Sequence, residues 1–293
     1  NSDWTQAGNW NSCVPTFETT VTIPGGLTNY PTLTASAACA SLTIEDGGSF
    51  IGSEYLTVGL ATVKRDITNT KYHYLSSPVA TATFGNVFAN SLTTWAKKWN
   101  PLTNAWVWQT SLNTFGVGAG YAVTTTTPTI TANFAGSLNA APVTSTLSNA
   151  NGGWNLLGNP FQSAIDWDNV VKGPGVAAAV SVWTGVNYIT WNGSVGGLTG
   201  GIIPAENGFF AITTVNNDFV TIPLAARVHS AVPFYKESVN NVLELVANGN
   251  NESDQTFVHF NNDATPAYDN QFDARKLFGE DDAPHLYSTI SND

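Results

Sequence analysis

The stretch Tyr72-His-Tyr-Leu75-Ser-Ser-Pro78 recurs as Trp154-Asn-Leu-Leu157-Gly-Asn-Pro160, with the Leu and the Pro both displaced by 82 residues. Further aromatic residues follow each stretch in the same order. Self-similarity of this kind indicates an internal duplication, with copies at about residues 63–147 and 148–235. The other matches are Trp99 with Trp183, Trp108 with Trp191, and Gly118-Ala-Gly120-Tyr121-Ala-Val123 with Glu206-Asn-Gly208-Phe209-Phe-Ala211.

Each copy carries the same series of β signals. A short strand pattern ends at a proline, a variable loop and a Trp-bearing hairpin follow, and a Gly-aromatic turn leads into another strand. Proline at a strand end and glycine at a turn are where sheets accept these residues. The region 63–235 is therefore predicted to form two related β-units, packed as one sandwich or as two adjacent sandwiches.

The segments on either side of the duplication also predict strands. In residues 1–62, short apolar runs such as Thr20–Ile23 and Ser41–Ile44 alternate with Gly-rich turns, which predicts a small N-terminal β-solenoid or β-module. In residues 236–293, alternation at 242–247 and 255–260 predicts a C-terminal partial β-sandwich. Because two or three strands rarely form a stable sheet, we expect the natural protein to continue beyond Asp293. The predicted fold class is all-β throughout.

Composition excludes several classes of partner. The chain has a net charge of −11, and its ten Lys and Arg form no basic stripe. Nucleic acids and anionic membrane surfaces attract clustered cations, so both are disfavoured as partners. No apolar run approaches the roughly 20 residues of a membrane-spanning helix, so no membrane insertion is expected.

Two cysteines, Cys13 and Cys39, lie in the N-terminal module. An even pair confined to one small module predicts a disulfide and an oxidising compartment. Two buried thiols are the alternative. The predicted location is extracellular or on the outer cell surface.

Several motifs resemble a β-rich region of exported surface proteins from Bacteroidetes-type bacteria. That region usually lies upstream of the C-terminal sorting domain used by the type IX secretion system. The resemblance implies secretion by that route, although the sorting domain is absent from this sequence, and it implies no catalytic role for the matching residues. The motifs are Gly153-Trp-Asn-Leu-Leu-Gly-Asn-Pro160, Ser163-Ala-Ile-Asp-Trp-Asp168, Ile203-Pro-Ala-Glu-Asn-Gly-Phe-Phe210, Asp269 to Phe278, Leu286-Tyr-Ser288, and at the N-terminus Asn9 to Pro31 and Ala40 to Ile44.

No catalytic or metal-binding motif is recognisable. The four His residues lack metal-ligand spacing, and no G-x-S-x-G nucleophile turn is present. Asp166 and Asp168 flank Trp167 and would share one face of a strand, which could form a sugar-binding or cation-binding edge, whereas the resemblance implies a structural turn. The run Asp269 to Glu280 matches a calcium loop poorly, because Ala274 occupies its glycine position. We therefore predict no enzyme and no cofactor, with calcium kept as a candidate without assigned ligands.

The ten Trp residues offer a possible recognition surface. The duplication assigns Trp99 with Trp183, and Trp108 with Trp191, to sandwich cores. Trp95 and Trp106 have no aligned Trp in the second copy, so they are the candidates for glycan contact.

The functional hypothesis is an extracellular structural or adhesive surface protein, such as a stalk or filament subunit, without catalysis. The alternative is a carbohydrate-binding accessory region of a larger exported polysaccharide-degrading enzyme. The expected partners are further copies of the chain, or cell-surface and extracellular-matrix glycans.

Overall fold

A computed structural model describes residues 2–68, 70–185, 188–194, 196–230, 242–249, 252–260 and 284–289, with isolated positions between 262 and 267. The described chain is all-β, with a single four-residue α-helix, α1 (Phe84–Val87), and several 3-10 turns. The first ten strands are β1 (Thr20–Ile23), β2 (Ala37–Ile44), β3 (Leu56–Ile67), β4 (His73–Leu75), β5 (Thr94–Asn100), β6 (Ala105–Gln109), β7 (Tyr121–Thr125), β8 (Ile130–Gly136), β9 (Val143–Leu147) and β10 (Trp154–Gly158). The others are β11 (Ala164–Asp166), β12 (Val171–Lys172), β13 (Val176–Trp183), β14 (Tyr188–Trp191), β15 (Ile202–Ile203), β16 (Gly208–Thr213), β17 (Asp218–Ile222), β18 (Arg227–Val228), β19 (Val242–Gly249) and β20 (Glu252–His259). The 3-10 turns are Ala7–Asn9, Ser53–Tyr55, Ala150–Gly152, Trp167–Asn169, Thr199–Gly201 and Leu224–Ala226.

The N-terminal strands stack in parallel, as successive turns of a β-solenoid do. β1 pairs with β2 and β2 with β3, which aligns Ile23, Ile44 and Val63 as a buried ladder. Parallel bridges from Thr32 to Asp3 and to Ile51 add a second stack of rungs. β8 closes this sheet on the β3 side in antiparallel register.

The N-terminal strands and the first copy share one hydrophobic core. β3 runs through residues 62 and 63, where the sequence places a module boundary. The core cluster extends from Trp4 and Phe50 to Phe115 and Phe134. Side chains from residues 1–62 and from the first copy are therefore buried in the same core, and the two segments form one packed body.

The duplication produces two four-stranded antiparallel sheets with the same strand order. The first sheet runs β4-β7-β5-β6 and the second β10-β16-β13-β14. Leu75 pairs with Tyr121 in the first sheet, and Leu157 pairs with Phe209 in the second. The residues matched in the sequence therefore occupy equivalent positions in the strand pairing of the two sheets.

The two sheets pack face to face through a set of rings, here called the aromatic interface. Strand alternation sends Tyr74, Trp99 and Ala122 into it. The residues next to Tyr74 and Ala122, namely Leu75, Tyr121 and Val123, face the first core. The Trp99 indole N–H donates to the Trp154 carbonyl at 3.0 Å, and the equivalent Trp183 donates to the Tyr72 carbonyl at 3.0 Å. Each copy thus makes the same contact to the other. The aromatic interface comprises Tyr74, Trp99, Ala122, Leu156 and Phe210, with Tyr72, Trp106, Trp154, Trp183 and Tyr188 packed against them.

The ends of the duplicated strands also cross reciprocally. The Ser76 amide donates to the Glu206 carbonyl at 2.8 Å, and the equivalent Gly158 amide donates to the Gly118 carbonyl at 2.9 Å. A Cβ at Gly158 would overlap the Ser76 hydroxyl and lie 2.7 Å from the Ala119 carbonyl oxygen. The glycine is required because the two chain segments approach so closely.

A second core covers the outer face of the second sheet. It includes Phe161, Trp167, Phe209 and Val220, and two three-stranded sheets supply its walls, in the orders β12-β17-β9 and β15-β11-β18. The strands expected at 242–247 and 255–260 correspond to β19 and β20, which form an antiparallel hairpin. Much of the remaining C-terminal segment lies outside the described residues.

The predicted Cys13–Cys39 disulfide is wrong. Both thiols are free: Cys13 lies exposed in the N-terminal loop, whereas Cys39 lies in β2 with its side chain in the first core. The positions of the two cysteines in the sequence are compatible with a disulfide. In the fold, however, β2 directs the Cys39 side chain into the first core, away from the exposed loop that carries Cys13. Burial raises the pKa of the Cys39 thiol to about 11.

Candidate functional site

The β5–β6 hairpin places several aromatic residues on one sheet face. The register sets Trp99 opposite Trp106 and Lys97 opposite Trp108. Because alternate residues of a strand share a face, Trp95 and Lys97 lie on the same side as Trp99. The tight turn is closed by Asn104, whose φ of 52° suits an asparagine.

Part of this face extends beyond the aromatic interface and is open to solvent. Trp95 is 41% exposed and Trp108 57% exposed. The Lys97 ammonium lies 4.2 Å from the centre of the Trp108 ring and 5.6 Å from that of Tyr72, which are cation–π contacts. We call Trp95, Lys97 and Trp108 the platform.

The second copy shows that the fold does not require the platform. Lys98 of β5 pairs with Tyr121, and Val182 of β13 pairs with Phe209. Because Tyr121 and Phe209 are equivalent in the two copies, Lys98 corresponds to Val182, and the rest of β5 aligns with β13 from that pair. The platform positions in the second sheet are occupied by small residues, with a 2.9 Å hydroxyl contact between Ser181 and Thr190. The pairs are Trp95 with Ala179, Lys97 with Ser181, and Trp108 with Thr190.

The structure separates the two Trp residues predicted to contact glycans. Trp95 is exposed on the platform, whereas Trp106 is half-buried in the aromatic interface, 5.3 Å from Trp99 and 5.9 Å from Tyr74 between ring centres. Trp106 corresponds to Tyr188, so its ring fills a position that is aromatic in both copies.

Sequence reasoning missed Trp108, because its match to Trp191 is out of register by one residue. Trp191 pairs with Val180, and the equivalent pair in the first sheet is Ala96 with Gln109. A shift of one residue moves a side chain to the opposite face of a sheet. Trp191 accordingly packs against the second core while Trp108 faces solvent. Counting strand alternation from Trp99 through the hairpin would have found it.

A surface cavity of about 210 Å³ adjoins the platform at Trp95. Phe84, Phe88 and Leu92 supply its apolar wall, and Thr110 and Ser111 supply hydroxyl groups. A second cavity of about 410 Å³ lies by α1 and Asn133. Neither lining contains an acidic, histidine or cysteine side chain, so in this described part of the chain these cavities offer polar and apolar contacts without a titratable nucleophile or acid.

The most strongly charged cluster is buried where the N-terminal sheet meets the second copy. Arg65 donates through Nε to Glu206 Oε2 at 3.1 Å and through Nη1 to Asp46 Oδ1 at 3.1 Å. Burial raises the pKa of Glu206, and the adjacent Arg65 guanidinium opposes that shift. Glu206 is fully buried with a φ of 52°, so the cluster joins structural segments and is closed to a ligand.

Buried amide side chains lie near this ion pair, Asn159 in the turn that ends β10 and Asn139 in the loop after β8. Asn159 donates to the carbonyls of Ser163 and Pro204, and Asn139 donates to those of Ser77 and Pro160. These bonds satisfy backbone groups that the proline turns leave unpaired. We call the ion pair and these amides the polar junction.

The remaining titratable candidates occupy structural positions. His229 lies between the hydroxyls of Thr32 and Ser49, at 2.9 and 2.8 Å, and burial lowers its pKa. Asp166 caps a 3-10 turn by accepting from the Asp168 amide, as expected for a structural turn. Asp168 accepts from the Trp191 indole at 2.9 Å.

Metal and membrane features are limited in the described residues. No group of three or more His, Cys, Asp or Glu side chains gathers there as a metal site would require. The Asp269 to Glu280 run lies outside the described residues. None of the helices in the described ranges is long and apolar enough to cross a membrane.

Comparison with known proteins yields a family match. Residues 40–192 match the family described as Domain of unknown function (DUF8693). The matched region begins in β2, ends just after β14 and includes the platform. No curated protein and no solved structure matches the chain.

Proposed function

The chain belongs to the DUF8693 family, and we propose that it is an extracellular, non-catalytic adhesive module that binds glycans on the platform of Trp95, Lys97 and Trp108. The carrying observation is the difference between the two copies. Both sheets use aromatic residues where they pack together, but only the first adds two exposed indoles beyond that contact. Exposed rings that the fold does not need are best explained by recognition of a partner.

The chemistry of the platform suits sugar rings. An indole offers a large, rigid apolar surface and loses little conformational entropy on binding. The axial C–H groups of a pyranose pack against such a face, while its hydroxyls turn to solvent or to side chains. Trp95 and Trp108 lie at diagonal positions on neighbouring strands, a separation of about 7–8 Å at the backbone. This spacing allows contact with successive sugar units.

A binding role without hydrolysis agrees with the side chains near the platform. Glycoside hydrolysis needs two carboxyl groups about 5–10 Å apart on either side of the bond. The linings of the two described cavities contain none, and the carboxylate of Glu206 is engaged in the polar junction. The extracellular assignment is supported by the type IX resemblance. The chain would then serve as an adhesin or as the accessory region of a larger polysaccharide-degrading protein.

Affinity electrophoresis of the whole chain in gels containing soluble polysaccharides would test the proposal, with Trp fluorescence as a second readout. We expect Trp108→Ala to weaken binding by about tenfold or more, the loss typical of a central aromatic anchor. Phe219→Ala removes a comparably exposed ring from β17 and serves as the matched control. Absence of binding to every polysaccharide, or equal effects of the two substitutions, would refute the platform.

Assembly into a stalk or filament is the second candidate function, favoured by the β19–β20 hairpin. Leu243 pairs with Val258, and both are exposed together with Leu245 on the same face. A two-stranded sheet with an exposed apolar face is a template for association with another copy. Light scattering and electron microscopy would show regular assemblies that Leu245→Lys abolishes and Val215→Lys, an exposed control in a loop, preserves. A wild-type monomer at the highest soluble concentration would rule this candidate out.

A further inference from the structure

The platform lies in a part of the chain that contains no acidic residue. Residues 67–165 include no Asp or Glu, although the whole chain has 21 acidic residues and a net charge of −11. The same stretch contains three lysines, Lys71, Lys97 and Lys98, giving it a net charge of +3. Most of the first copy therefore lies in a positively charged stretch of a strongly acidic protein.

The lysines of this region lie at and beside the platform. Lys97 occupies its centre, directly opposite Trp108 and two residues from Trp95. Lys98 is exposed on the other face of β5, and Lys71 is exposed next to Tyr72, whose ring Lys97 contacts. Elsewhere in the fold, Lys64, Arg65 and Arg227 form salt bridges with carboxylates. At the platform, Lys97 contacts the ring of Trp108, and on the other face of β5 Lys98 contacts the ring of Tyr121.

We infer that the platform selects an anionic glycan, a sugar chain bearing carboxylate or sulfate groups; this rests on the proposed glycan-binding function. The Lys97 ammonium lies over one face of the Trp108 ring, 4.2 Å from its centre, so a sugar stacks on the opposite face. Substituents that extend past the ring edge then meet the ammonium at the end of the flexible Lys97 side chain. A charge-assisted hydrogen bond from an ammonium to an anionic oxygen is about twice as strong as a neutral one. Acidic residues elsewhere on the protein would repel the same polymer, so its approach is directed to the first copy.

The second copy again provides the internal comparison. Its positions equivalent to the platform, Ala179, Ser181 and Thr190, carry neither ring nor charge. Asp166 and Asp168 lie in this second copy, just after the acid-free stretch ends. Ring and charge thus occur together in one copy and are missing together from the corresponding positions of the other.

Titration of the full chain with three polymers would test the inference: a polyuronate, a sulfated galactan and a neutral glucan. We expect the anionic polymers to bind about tenfold more tightly than the neutral one near 50 mM salt, with the preference decreasing towards about 300 mM. Comparing the affinity for the polyuronate with that for the sulfated galactan shows whether carboxylate or sulfate is the preferred anionic group.

Substitutions assign the preference to Lys97. Lys97→Gln should reduce the ratio of anionic to neutral affinity by about tenfold, whereas Lys97→Arg should retain most of it. Lys64→Gln, which removes an equal charge from a salt bridge with Glu45, should leave the ratio unchanged. An unfolding midpoint measured for each variant confirms that it is folded.

The outcomes separate this inference from the proposed function. If all three polymers bind equally and Trp108→Ala abolishes binding, the platform binds glycans and the anionic preference is wrong. If no polymer binds, both fail. If a DNA duplex binds as tightly as the anionic glycans with the same salt dependence, charge alone explains the binding and the inference is overturned.

Discussion

Replacing Arg65 with Met should strongly destabilise the protein, because Glu206 would then keep a buried carboxylate without its cation. Arg65 contacts Glu206 and Asp46 at 3.1 Å each, and both Arg65 and Glu206 are buried. Removing one partner of a buried pair typically costs about 3–5 kcal/mol. Since domains are stable by about 5–15 kcal/mol, the variant would lose a large share of its free energy of unfolding.

A second substitution identifies the cause of that loss. In Arg65→Met/Glu206→Gln the uncompensated charge is gone, so we expect about 2 kcal/mol of the loss to be recovered. Lys64→Met is the matched control: Lys64 is the preceding residue, and its ion pair with Glu45 is solvent-exposed enough to be worth less than about 1 kcal/mol. Urea unfolding followed by Trp fluorescence gives the denaturation midpoint of each variant. A shift in the midpoint reports a change in stability as long as the dependence of the unfolding free energy on urea concentration stays unchanged.

The pH dependence provides an independent readout of the same reasoning. Burial raises the pKa of Glu206, so the folded state takes up this proton at a higher pH than the unfolded chain does. The stability linked to that proton is fully present below the unfolded-state pKa and is lost as the pH rises through the folded-state value. The deficit of Arg65→Met should therefore shrink on acidification. A loss no larger than that of Lys64→Met, or a double variant no more stable than Arg65→Met, would refute the electrostatic account.

Three further results are expected. Gly158→Ala should cost about 1–3 kcal/mol by overpacking, whereas Gly8→Ala, where a Cβ meets nothing within 4 Å, should be near neutral in thermal unfolding. A thiol reagent should modify Cys13 in the native protein and Cys39 only after unfolding; finding no reactive thiol in the unfolded, unreduced chain would restore the disulfide. Because burial lowers the pKa of His229, stability should fall as the pH drops below about 6.5, the unfolded value, and His229→Gln should reduce that slope in urea titrations; an unchanged slope would contradict this.

The sequence was sufficient to predict the features that depend on local pattern and order. Alternation and turn residues indicate an all-β chain. The matched Leu75 and Leu157 reveal the duplication, because equivalent residues keep equivalent register in both sheets. The parallel rungs of the N-terminal module also follow from short runs separated by Gly turns.

Features that depend on side-chain direction or distant contacts were not predictable. The spacing of Cys13 and Cys39 does not reveal that β2 turns Cys39 into the core. Matching Trp108 to Trp191 by residue type hides a one-residue shift and so a change of sheet face. Arg65 and Glu206 are 141 residues apart, and no local pattern connects them.

The reciprocal contacts between the copies have a consequence for how this surface could arise. Trp99 bonds Trp154 as Trp183 bonds Tyr72, which is the isologous pattern of a two-fold symmetric homodimer. In a homodimer every substitution appears twice, once in each subunit. A single chain that carries both halves is released from that symmetry. One half can acquire two indoles and a lysine while the other keeps alanine, serine and threonine, so the fused pair holds its packing constant and presents two different outer surfaces.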